Sequence, residues 1–147
     1  MKLYDYIDKI IDSEHYASKL YENIKTKSPD KIANIADNFA KEEIMHMEWL
    51  RKLKLEIPNR TIEGNDELYF LSDYNPDGFE AKDEEFRFDS EKDFFLFALQ
   101  LEKNSILSYN EFKDNFQRDS KEYGFFEKMI HEERKHMVYI LKVLQEI

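Results

Sequence analysis

The chain has 147 residues, enough for one domain with a real hydrophobic core, and no cysteine, which excludes disulfides, thiolate catalysis and cysteine-held zinc or iron–sulfur sites. Its 32 acidic against 22 basic residues leave a net charge of −10, which argues against nucleic acid or an anionic membrane as partner. No apolar run approaches the roughly 20 residues that a bilayer span needs, and the first residues, Met1 to Asp5, hold no signal-peptide core, so a cytoplasmic location is expected.

Three glycines and three prolines punctuate the sequence, at Pro29, Pro58, Gly64, Pro76, Gly78 and Gly124. Four long stretches free of both remain, at 3–27, 30–57, 90–117 and 125–146, and each reads as a helix. The first carries Ile7, Ile10, Ile11, Ala17, Tyr21 and Ile24 at three- and four-residue steps. The second opens on Ser28-Pro29, a capping hydroxyl before a proline at the first helical position. Its stripe is Ile32, Ile35, Ala36, Phe39, Ala40, Met47, Leu50 and Leu53. Segment 58–89 holds glycines, prolines, acids and the aromatics Tyr69, Phe70, Tyr74, Phe79, Phe86 and Phe88. A connection of that length is expected to cross the bundle from end to end, pinned by its aromatics, so that the second and third helices run parallel. The third helix is announced by Ser90 with Asp93 and carries Phe95, Ala98, Leu99, Ile106, Tyr109 and Phe112. Asp119 with Glu122 suggests a second capping box before the fourth, whose stripe is Phe126, Met129, Ile130, Met137, Ile140 and Leu144. The expectation is a single all-α domain over 1–147, an antiparallel four-helix bundle with a long crossover between helices two and three.

Each stripe is broken once, near the middle of its helix. Glu14 interrupts the first, Glu43 and His46 the second, Glu102 the third, Glu133 and His136 the fourth. The two halves repeat. Glu14 precedes Tyr21 by seven residues and Glu43-x-x-His46 by 29, while Glu102 precedes Tyr109 by seven and Glu133-x-x-His136 by 31. Positions three apart share a helical face, so each pair offers a carboxylate and an imidazole to one point. Four buried carboxylates would cost several kcal/mol each if left unpaired, and no Lys or Arg stands on these stripes. Two divalent ions would balance the charge, and carboxylate–imidazole ligation without thiolate suits iron or manganese. Glu43 and Glu133 would bridge, Glu14 and Glu102 would each cap one ion, and the hydroxyls of Tyr21 and Tyr109 would bond ligand carboxylates. His15 and His131 lie beside the stripes and are expected either at the surface or supporting the ligands from behind.

This pattern resembles the ferritin-like di-iron carboxylate proteins, and within them the helical-bundle domain of the rubrerythrin family. The resemblance rests on Glu14-His15-x₅-Tyr21, Glu43-Ile44-Met45-His46, Glu102-x₆-Tyr109 and Glu133-Arg134-Lys135-His136 and spans essentially the whole chain. Bacterioferritin shares the doubled Glu-x-x-His, but Ile44 stands where its haem methionine would be. The resemblance implies a ferritin-like bundle holding two iron ions and reducing hydrogen peroxide or dioxygen, with electrons from an external carrier protein. It also implies a homodimer, to which Trp49 would contribute from an outer face. Two departures bear on this: the four-cysteine iron domain of rubrerythrins is missing, and Ser105 occupies the place of an additional glutamate that they carry one turn after Glu102. A ferroxidase or iron-handling protein, or a ferritin-like protein whose metal serves stability alone, are the alternatives.

Overall fold

The computed structural model describes residues 2–62 and 87–147. They form four helices: α1 (Leu3–Lys27), α2 (Asp30–Glu56), α3 (Glu91–Lys113) and α4 (Lys121–Glu146). This is the all-α four-helix bundle expected from the apolar spacing. No described helix is long and apolar enough to cross a membrane. The expected crossover and its aromatics through Phe86 lie outside the described residues; Phe88 is described, and its ring packs on Phe94 and Phe97.

Local chemistry sets the helix ends, in places one residue away from where the sequence suggests. The α1 N-terminus has no side-chain cap. Its unsatisfied N–H groups find the chain that follows α2 instead: Leu3 donates to the Arg60 carbonyl at 2.8 Å and Tyr4 to Asn59 Oδ1 at 3.1 Å. The Tyr4 hydroxyl adds a 2.7 Å bond to the Ile57 carbonyl. At α2, Pro29 is the cap rather than the first helical residue. Ser28 is thereby freed, and its hydroxyl accepts from the Phe88 amide at 3.2 Å. Ser90 caps α3 as expected, accepting from Asp93 N. At α4 the cap is Ser120, accepting from Tyr123 N at 3.2 Å, and not Asp119. The helix begins at Lys121, so Gly124 lies inside it and not before it. At the other corner α3 ends at Lys113, four residues before the expected limit, and turns through Asn115 and Phe116.

Side-chain partners fix the directions. Lys25 meets Asp37 and Lys54 meets Asp8, so α1 and α2 are antiparallel. Tyr6 packs on Phe112 and Tyr21 on Phe94, so α1 and α3 are antiparallel too. It follows that α2 and α3 run parallel, as the length of segment 58–89 suggests, and the 2.8 Å Lys31–Glu91 pair joins their first turns. The core falls into two apolar halves. One gathers Leu3, Tyr6, Leu50, Phe112, Phe126 and Met129 at one end; the other gathers Leu20, Tyr21, Ile24, Phe39, Phe94 and Ile140 at the opposite end. Between them lies a polar layer.

Gly124 is exposed, helical and has nothing within 4 Å of the place a Cβ would occupy. Gly124→Ala should therefore stabilise the protein by about 0.5–1 kcal/mol, by limiting the unfolded chain and improving helix propensity. Chemical denaturation at fixed pH measures it; a loss of stability would mean that the α4 N-terminus is set differently.

Candidate metal centre

The polar layer is built from the six residues that interrupt the apolar stripes. α1 supplies Glu14, α2 Glu43 and His46, α3 Glu102, and α4 Glu133 and His136. Glu14, Glu43, His46, Glu102 and Glu133 are buried, with residue exposures of 5 % or less. Apart from Ser18, the only other buried polar side chain among the described residues is Glu122, and it shows what the cluster lacks. Glu122 sits at the end of the bundle and pairs with Arg60 at 2.9 Å. Among the described residues, no Lys or Arg is buried with the other four glutamates.

His46 is the centre of one group. Its Nδ1 lies 3.1 Å from Glu133 Oε1, 3.4 Å from Glu14 Oε2 and 3.5 Å from Glu43 Oε2. His136 centres a second, with Nδ1 3.8 Å from Glu102 Oε2 and 4.0 Å from Glu133 Oε2. The imidazoles are nearly parallel, 6.0 Å apart between ring centres. Glu14, Glu43, His46 and Glu133 can each turn one donor atom to within 4.8 Å of the others, as can Glu102, Glu133 and His136. Ligands held about 2.0–2.2 Å from one ion lie at most about 4.4 Å apart, so a small inward adjustment separates this arrangement from ligation. The donors fit such an ion: Glu14 Oε2, Glu102 Oε2, both oxygens of Glu133 and Nδ1 of both histidines are buried without a hydrogen-bond partner. The cluster is able to hold a metal ion.

Glu133 belongs to both groups and Glu43 only to the first. The two expected bridges are therefore unequal, and Glu133 alone spans the pair of groups. Tyr21 is fully buried, but its hydroxyl makes no hydrogen bond to a ligand carboxylate. Burial, followed by the charges of Glu102, Glu43 and Glu133, pushes its phenol well up and keeps the proton on the oxygen. Tyr109 is buried at the opposite side of the layer, its ring against Phe112 and Phe126. His15 and His131 are exposed, the first of their two expected placements. Trp49 does not stand on an open outer face: it is half-buried, 5.5 Å from the His46 ring, and Lys128 Nζ lies 4.5 Å above it.

One residue of the site escapes the stripe argument. Glu42 Oε2 lies 3.1 Å from His136 Nε2, across the α2/α4 seam. Its place four residues before His46 is the signal that could have marked it, since that spacing puts it on the face turned towards α4.

Burial and mutual charge shift how tightly the groups of the site hold their protons. Burial, then Glu43, pushes Glu14 well above the usual carboxylate range. Burial, then Glu133, does the same for Glu102. At His46 burial works against the charge, but Glu133, Glu14 and Glu43 outweigh it and hold a proton on the ring far above the ordinary histidine value. Glu43 moves the other way: burial raises it, while Glu14 and His46 beside it leave it lowered. Four raised groups, Glu42 among them, oppose one lowered group. A raised group contributes stability that is complete below its unfolded value, 4.5 for Glu or 6.5 for His, and lost as pH climbs through its folded value. Metal-free protein should thus lose stability steadily from pH 5 to 8. A bound divalent ion needs the deprotonated ligands and binds only the fold, so metal-loaded protein should gain most over metal-free protein near neutrality. Thermal melts of both forms across that range test this, and parallel curves would contradict a single buried cluster.

Compared with protein-family models, with curated proteins and with solved structures, the chain gives no match. What it can do follows from its own geometry, a carboxylate–imidazole cluster sealed between two apolar half-cores.

Proposed function

We propose that this chain is a non-haem di-metal oxidoreductase of rubrerythrin-like type, holding two iron ions, or manganese in their place. Its oxidant would be hydrogen peroxide or dioxygen, and its electrons would come from a separate carrier protein. The observation that carries the reading is Glu133, fully buried, with both oxygens unpartnered and one directed to each ligand group. A single unpartnered carboxylate oxygen would call for one cation; two, aimed at opposite imidazoles, suit a pair.

Each side chain then has a defined task. Glu133 holds the two positions together, Glu14 and Glu102 close the ends, and Glu43 completes the first group. His46 and His136 complete the donor sets with nitrogen and leave the total charge of four carboxylates balanced by two divalent ions. A pair of iron ions, when bound, supplies two electrons to an O–O bond. The apolar half-cores keep bulk water out, and the Tyr21 phenol stays protonated beside the carboxylates. A second reading, iron oxidation and transfer without peroxide turnover, is favoured by Ser105. It is half-buried one turn after Glu102 and offers a hydroxyl where an additional carboxylate would serve a redox cycle.

Metal analysis separates the roles of the carboxylates. Wild-type protein loaded anaerobically with Fe(II) should hold two ions per chain, Glu43→Ala should lose chiefly the first position, and Glu133→Ala should lose both. Wild-type metal content in Glu133→Ala would overturn the reading. Stopped-flow oxidation of the reduced protein decides between the two functions: peroxide should react faster than dioxygen. Faster reaction with dioxygen, with growth of a mineral, would assign the chain to iron handling.

A further inference from the structure

Of the six ligand candidates, His136 is the most exposed. Side-chain exposure is 6 % or less for Glu14, Glu43, His46, Glu102 and Glu133, and 16 % for His136. His136 forms part of the wall of a cavity of about 240 Å³ between α2 and α4, whose other walls are Ile35, Asn38, Phe39, Glu42 and Tyr139. Neither the 660 Å³ cavity at the Arg60 end of the bundle nor the 440 Å³ groove beside Arg51 and Lys54 is lined by any of the six ligand candidates.

The geometry points to this cavity as the route by which a divalent cation reaches the cluster, with Glu42 as the first carboxylate it meets. The inference rests on the metal reading above and adds the path. Size permits it: a cation with six waters occupies about 180 Å³, taking about 30 Å³ per water. Charge favours it. Glu42 has a side-chain exposure of 33 %, so its carboxylate faces both solvent and the His136 ring. That ring has one nitrogen on each side. Its Nε2 is 3.1 Å from Glu42 Oε2, while its Nδ1 is turned to Glu102 and Glu133, whose unpartnered oxygens are more than nine-tenths buried. A cation drawn to Glu42 thus stands one imidazole away from the buried carboxylates of Glu102 and Glu133. The apolar and aromatic walls, Ile35, Phe39 and Tyr139, offer it no competing ligand of full charge. Shedding water is then stepwise, because a carboxylate and an imidazole replace part of the shell before the ion is buried.

The test is the rate at which metal-free protein takes up cobalt(II), followed by stopped-flow through the absorption of ligated cobalt, with final stoichiometry measured separately. Glu42→Gln removes the charge and keeps the shape; Asn38→Trp, at an exposed position, narrows the cavity and keeps the charge. Each should slow uptake by about tenfold and leave the final cobalt content unchanged. Leu55→Trp, on an exposed site away from the cavity, should load at the wild-type rate. Unchanged rates in both cavity variants would overturn the route, and a lower final content in Glu42→Gln would make Glu42 a ligand instead. If wild-type protein takes up no cobalt, the metal reading itself falls, and the route with it.

Discussion

Negative charge without a partner, enclosed in the middle of a helical bundle, is the constraint on which the rest of this molecule depends. An isolated carboxylate is several kcal/mol less stable in such surroundings than in water. The protein shows that it can solve this in the ordinary way, since Glu122 is as deeply buried as Glu14 and has Arg60. At the central layer it does not. Four carboxylates and two imidazoles converge there, and burial and neighbouring carboxylates raise the proton affinity of Glu14, Glu102 and His46. The two apolar half-cores on either side carry the folding free energy that makes such a layer tolerable. Their aromatic packing, Tyr21 with Phe39 and Phe94 at one end and Phe126 with Tyr109, Phe112 and Phe116 at the other, holds the helices at fixed spacing.

The helices and the six central residues were legible in the sequence because both follow from one-dimensional spacing. A stripe at steps of three and four defines the buried face, and a charged residue within it must be buried with it. Legibility ended where partners come from elsewhere in the chain. Ser28 has every local feature of a helix cap, yet its hydroxyl serves Phe88, 60 residues on. Glu122 looks like the acid of a capping box, yet it is buried against Arg60, and Ser120 takes the capping role. Glu42 reads as a solvated neighbour of Glu43 until α4 is set beside it. Nor could the repeat reveal its own asymmetry: the two hairpins are alike in spacing, but Glu133 faces both ligand groups and Glu43 one.

That asymmetry gives the two halves different chemical characters. His46 is sealed, between three carboxylates and Trp49. His136 is partly open, with an acid of its own on the outer side. Two positions held by similar donors therefore differ in water access and in the ease with which a ligand can be exchanged, the properties that separate a retained ion from one that reacts or moves.

The bundle is also two hairpins laid together. Within each, α1 on α2 and α3 on α4, packing runs the full length, while α2 and α4 meet over only a short stretch. The union runs through both half-cores, with Tyr6 on Phe112 and Tyr21 on Phe94, and is fastened at its extremities by Arg60 with Glu122 at one end and by Lys31 with Glu91 and Ser28 with Phe88 at the other. Such a body is mechanically a pair of stiff leaves clasped top and bottom. At mid-height the two hairpins face each other through Glu14, Glu43 and His46 on one side and Glu102, Glu133 and His136 on the other, so a cation held by donors from both would act as a rivet between them.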